Sequence, residues 1–118
     1  MINNQFYEDF AADWIAAWNS HDIERILSHY DSAFEFSSPT LAQFIPESGG
    51  KLKGIAAARS YWDKGLALLP ELRFEPITLL KGVDSCVIYY KGHSGKLCAE
   101  FFEFASHGKV IVSHAHGA

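Results

Sequence analysis

Cysteine is scarce. The 118 residues contain two, Cys86 and Cys98, and neither has a histidine or cysteine at ligand spacing, so they do not make a zinc site. No apolar run approaches the roughly 20 residues a membrane-spanning helix needs. The first ten residues are polar and acidic, where a secretory leader would be basic and then apolar. A cytoplasmic location with reduced thiols is the expectation. Positive charge is thin as well. The net charge is −4, and the densest basic group, Lys51, Lys53, Arg59 and Lys64, is broken by neutral residues. That argues against nucleic acid or an anionic membrane as a partner. Repeats and linkers are missing, as are G-x-S-x-G, a glycine-rich phosphate loop and H-E-x-x-H.

What is present is apolar and rich in rings. Hydrophobic residues make up 48% and charged residues 20%, the balance of a soluble globular protein. The length suits one domain, residues 1–118, able to bury a core without metal or disulfide. Aromatic residues reach 14%, with nine Phe, five Tyr and three Trp. Most belong to a core, and a sub-cluster is expected to line a cavity.

The segment from Phe6 to Trp18 reads as a helix, with Phe6, Phe10, Trp14 and Trp18 recurring at four-residue steps. Asp22 is a candidate N-cap for a second helix, 23–29. Residues 34–37 alternate as a strand, which Pro39 should stop because it lacks the ladder donor. Residues 40–54 read as a long loop with a short strand at 51–53, and the Gly49-Gly50 pair gives it hinge freedom as a candidate lid. Residues 55–69 form a third helix with Ala58, Tyr61, Trp62, Gly65 and Leu69 inward. Four strands come next, at 72–80, 85–90, 97–104 and 110–116. Helices first and strands last argue an α+β fold.

The ordered set "AAWNSHDIERILSHYDSAFEFSSP", "KLKGIAAARSYW" and "EFFEFASHGKVIV" resembles the nuclear transport factor 2-like superfamily, and within it the SnoaL-like polyketide cyclases and ketosteroid isomerases. The resemblance spans essentially the whole chain. It implies a cystatin-like cone, three helices packed on a strongly curved antiparallel sheet, homodimers formed through the outer sheet face, and a ligand pocket at the open end. Ketosteroid isomerases use a first-helix tyrosine and a late-strand aspartic acid to hold the enolate oxygen. A second aspartate, just before the proline ending the first strand, moves the proton. By motif position these match Trp14, Glu100 and Ser38. Serine has no basic group near neutral pH, so ordinary steroid isomerisation is not expected, although Trp14 keeps an indole donor.

Glu100 is the leading candidate on its own terms. Cys98, Glu100, Phe102 and Phe104 share one strand face, which sets a carboxyl group among apolar neighbours and should raise its pKa. Such a group is a candidate acid/base; the alternative is a glutamate tied to a tryptophan or tyrosine for structure alone. A two-residue turn at His107-Gly108, the commoner form, pairs Glu100 with Ala115 and sets Ile111, Ser113 and Ala115 inward, with His114 and His116 on the far face. A three-residue loop would set His114 beside Glu100. A regular hairpin at 92–95 would place Tyr89 opposite Cys98 with its hydroxyl in the pocket. The expected walls are Trp14, Trp18, Tyr30, Phe36, Tyr61, Trp62, Tyr89 and Phe102, with Glu100 as polar anchor helped by Ser38. The expected ligand is a small apolar or aromatic molecule, handled without metal or cofactor by isomerase, cyclase or dehydratase chemistry. The alternative is a non-catalytic binding or interaction module.

Overall fold

The computed structural model describes residues 2–118. Helix α1 spans Asn4–Asn19, capped by the Asn3 side chain, which accepts from Phe6 N–H at 2.9 Å. Its four-residue spacing turns Phe10, Trp14 and Trp18 inward, together with Tyr7 and Ala17. Helix α2, Ile23–Leu27, starts on Asp22 as expected; the Asp22 carboxylate accepts from Arg25 N–H.

Strand β1 runs Tyr30–Ser37, four residues earlier than the alternation in the sequence suggested. The segment after it differs from the expected loop. Ser38 caps a short helix α3, Pro39–Phe44, with Pro39 in its first turn. A proline that ends a strand also suits the first position of a helix, where its missing N–H costs nothing. A 3-10 turn, Pro46–Ser48, and strand β2, Lys51–Lys53, come after it. Gly49 and Gly50 both have positive φ, but Gly50 is pinned. Its carbonyl accepts from Ser38 N–H at 2.9 Å, and a Cβ there would meet Ser38 O and Ala42 at 3.2 Å. Helix α4 spans Ile55–Leu68 and buries Ala58, Trp62 and Leu66, leaving Tyr61 half-buried.

The remaining strands are β3, Glu75–Lys81; β4, Ser85–Lys91; β5, Leu97–Phe104; and β6, Val110–Gly117. The architecture is α+β. Among the described residues, four helices accompany one six-stranded sheet in the order β2-β1-β6-β5-β4-β3. Every pairing is antiparallel except β1 with β6, which is parallel, so the sheet is mixed. Register breaks at Tyr30/Glu35, Pro76/Thr78 and Glu103/Phe104 are the kind of irregularity that bends a strand. Helix α1 lies on the inner face: Phe10 and Trp14 reach Phe102 at 4.9 and 5.2 Å between ring centroids. The Tyr7 hydroxyl donates to Gly82 O and accepts from Ser85 N–H, tying α1 to the β3–β4 turn.

Candidate functional site

Three strands bring the polar centre together. On β5, Cys98, Glu100, Phe102 and Phe104 face inward as alternation requires, and Glu100 is 5% exposed. On β6, Ser113 lies two residues before Ala115, the residue opposite Glu100, and its hydroxyl donates to Glu100 Oε2 at 3.0 Å. On β4, the Tyr90 hydroxyl donates to Glu100 Oε1 at 3.3 Å. Above them, Trp14 Nε1 donates to the Tyr30 hydroxyl at 3.0 Å.

Burial and hydrogen bonding oppose each other at Glu100. Removal from water disfavours the carboxylate, while the Ser113 and Tyr90 donors favour it. Burial prevails, and the pKa is pushed up to about 7. Burial and then the Glu100 charge hold the Tyr30 and Tyr90 hydroxyls protonated well beyond their ordinary range. The centre therefore holds an acid that exchanges its proton near neutrality, beside phenols that remain donors.

Trp14, Trp18, Tyr30, Phe36, Trp62 and Phe102 are all buried. Trp62 meets Trp18 at 5.3 Å, Tyr30 at 5.2 Å and Phe36 at 5.5 Å. Ser38 and Tyr61 form a separate pair. Burial raises the Tyr61 hydroxyl and a hydrogen bond with Ser38 opposes that rise, while Ser38 Oγ also accepts from Thr40 N–H as the α3 cap.

One expected wall residue, Tyr89, lies elsewhere, while His114 keeps the far face that the commoner turn favoured for it. The loop between β4 and β5 is one residue longer than a regular turn at 92–95 allows, with Gly92 N–H donating to Lys96 O, so Cys98 faces Tyr90 and Ala99 faces Tyr89. A one-residue slip exchanges faces: Tyr90 enters the core and Tyr89 sits half-buried on the outer face. His114 is exposed on that outer face, bonded to Ser37 Oγ at 2.6 Å and stacked on Phe101. Ile111 is half-buried, and Val110 takes the inward place expected of it.

Sequence reasoning missed two residues, Tyr90 and Phe74. The Phe74 ring meets Tyr90 at 4.7 Å, Trp14 at 5.5 Å and Trp18 at 5.5 Å. The expected open space beside Glu100 is thus packed with the protein's own rings. Two surface cavities lie elsewhere. One, about 340 Å³, is lined by Phe6, Phe10, His29 and His107, and the other, about 200 Å³, by Glu71, Arg73 and Lys91. Both cysteines are free. Among the described residues, no three His, Cys, Asp or Glu side chains gather as a metal site, and no helix is long and apolar enough to cross a membrane.

The SnoaL-like domain family matches residues 11–113. No curated protein matches the chain. Among solved structures, a SnoaL-like protein of unknown function from Burkholderia thailandensis is 42% identical, covering 100% of this chain and 99% of that one, with a TM-score of 0.94. A protein of unknown function with a cystatin-like fold from Methylobium petroleophilum is 15% identical over 99% of this chain and 78% of its own, at a TM-score of 0.79. The epoxide hydrolase/cyclase-like enzyme of pyran ring formation in the polyether salinomycin is 17% identical over 100% and 95%, also at 0.79. These two distant likenesses speak for the fold alone.

Proposed function

The chain belongs to the SnoaL-like domain family, and from that membership we propose that it binds a small, largely apolar, ring-shaped molecule on which Glu100 moves a proton without a cofactor. The observation that carries this reading is a carboxyl group sealed among aromatic rings, with hydroxyl donors on both of its oxygens and a pKa near 7. As carboxylate it takes a proton from carbon next to a carbonyl; as acid it returns one to another position or to a leaving oxygen. An isomerisation, a cyclisation or a dehydration each needs that exchange. The Tyr30 phenol, whose oxygen accepts from Trp14 Nε1, keeps its own O–H as a donor for an oxygen on which charge develops, while the Tyr90 proton stays on Glu100. The salinomycin neighbour, an epoxide hydrolase/cyclase-like enzyme, is consistent with such chemistry on this fold. The reading keeps the protein in the cytoplasm, with both thiols reduced.

The test is exchange of the protons beside the carbonyl in a panel of cyclic ketones of one to four rings, monitored by NMR in heavy water. We expect Glu100→Gln to slow protein-dependent exchange by at least about a hundredfold, the lower end of a general acid/base contribution, with no fall in the melting temperature. Equal exchange by both proteins, or a variant that loses several kcal/mol of stability with no effect on any ketone, would sink the assignment.

A second reading, a dimeric interaction module, is favoured by one observation. The outer sheet face carries Val87, Tyr89, Phe101 and Val112 half-buried, with Leu80 58% exposed beside them. The two readings are compatible, since a pair of chains sharing outer faces leaves Glu100 and its rings out of the contact.

A further inference from the structure

Residues 69–74, between α4 and β3, run without helix or strand and hang on the C-terminal end of α1. Asn19 holds Phe74 from both sides, its Nδ2 donating to Phe74 O at 3.0 Å and its Oδ1 accepting from Phe74 N–H at 2.7 Å. His21 Nε2 donates to Leu72 O at 2.8 Å. The backbone of this strap is therefore fastened by polar groups that water can replace. Glu71 is exposed, and the ring of Phe74 is what the strap sends inward.

That ring lies where the site is most aromatic. It is stacked on Trp14 with planes 24° apart, and it adjoins Tyr90, whose hydroxyl holds Glu100. It also adjoins Trp18, which is 8% exposed. Trp18 Nε1 is, among the described residues, the buried side-chain donor left without a partner. Its ring neighbours Trp14, Trp62 and Phe74 bring no carbonyl or hydroxyl acceptor to it. An unmade hydrogen bond in such surroundings is expensive, and proteins rarely keep one without a use.

We infer that Phe74 occupies the place of the ligand's ring: the strap swings out, and a planar ring bearing one acceptor oxygen stacks on Trp14 and Tyr90 while Trp18 Nε1 donates to that oxygen. This rests on the pocket reading above and narrows its substrate to flat, unsaturated rings with a carbonyl or ether oxygen. A saturated, puckered ring would lose the stacking, and a bare hydrocarbon would leave the indole N–H unpaired.

The probe is 1-tetralone, a fused aromatic ring with a ketone, against tetralin, the same skeleton without oxygen. Binding to the native-sequence protein is measured by calorimetry, with hydrogen exchange of the Phe74 amide and the Trp18 indole proton read by NMR. We expect 1-tetralone to speed exchange of the Phe74 amide and to shift the Trp18 indole proton. Asn19→Ala, which loosens the strap and leaves the core rings in place, should tighten binding by about threefold or more, since opening the strap then breaks two hydrogen bonds fewer. Trp18→Phe should weaken 1-tetralone about tenfold, the worth of one hydrogen bond in an apolar site, and leave tetralin unchanged. The inference is overturned if bound 1-tetralone leaves the Phe74 amide as protected as before, if folded Asn19→Ala binds no tighter, if Trp18→Phe weakens both probes alike, or if 1-tetralone does not bind at all. In each of these cases Glu100-dependent exchange of any ketone in the panel would leave the pocket reading standing. Conversely, strap release by 1-tetralone with no Glu100 dependence would remove the proton transfer and keep the ring site.

Discussion

At Glu100 the same burial that suits chemistry sets a stability cost. The unfolded carboxyl titrates near 4.5 and the folded one near 7. Between these values the folded chain holds a proton that the unfolded chain has released. Stability is therefore fullest below pH 4.5, falls as pH rises through the window, and reaches its lower level above about 7. The difference is on the order of 3 kcal/mol at about 1.36 kcal/mol per pH unit. We expect urea unfolding of the native-sequence protein to show this decline after the other groups are allowed for, and Glu100→Gln to flatten it; an unchanged slope in the variant would place the titration elsewhere. His29 acts in the opposite sense. Burial holds its pKa below 6.5 despite Asp13 at 2.7 Å, so its contribution is lost as pH falls through that value. The inward facing of Glu100 was legible because alternation depends on the strand alone. Tyr90 was not, because its facing depends on the length of a loop, and the chain carries no mark separating the shorter turn from the longer one. The unpaired Trp18 donor had no sequence signal, since an orphan exists only relative to its neighbours in space.

The β5–β6 hairpin shows how a right answer can come from a wrong turn. Glu100 pairs with Ala115, as a two-residue turn at His107-Gly108 would require. The loop is in fact three residues, 106–108, with Ala105 N–H donating to Lys109 O. Ile111 is the extra residue on β6, falling between the Glu103–Val112 and Phe104–Val110 pairs, and this bulge restores the register that the loop had shifted. Loop and bulge thus compensate, and together they keep Ser113 rather than His114 beside Glu100. Gly108 makes the loop work, with φ at +87° and the Phe6 ring 3.3 Å from where a Cβ would stand. Gly108→Ala should cost about 1–2 kcal/mol in urea unfolding, from left-handed strain and contact with Phe6. A neutral result would mean that the hairpin relaxes freely. Helix α3 escaped sequence reading for a related reason. Ser38-Pro39 punctuates a strand's end and a helix's start equally well, and the choice between them rests on residues 40–44 rather than on the pair itself.

Across the sheet, the pairings set Leu80, Val87, Phe101 and His114 in one row on the face away from the helices, with Tyr89 and Ala99 in the next. If that row joins two chains, Phe101→Lys should convert a dimer to a folded monomer in sedimentation velocity, since a symmetric contact meets each new charge with its twin. A native-sequence protein that sediments as a monomer would dispose of the dimer. The α+β class was readable from the order of helices and strands, but the strand order was not. Nothing local in the sequence says that β1 lies alongside β6 in parallel, a pairing made by strands some 77 residues apart, as in Ser37 with His114. That pairing has a consequence for how the chain is made. Strands β1 and β2 join the rest of the sheet only through β6, the last of the six in chain order. During synthesis the early strands must wait with an open edge until β6 leaves the ribosome, and that edge is open to pairing with other chains. Assembly of the sheet is thus a late, almost simultaneous event, slowed by the long loop it closes.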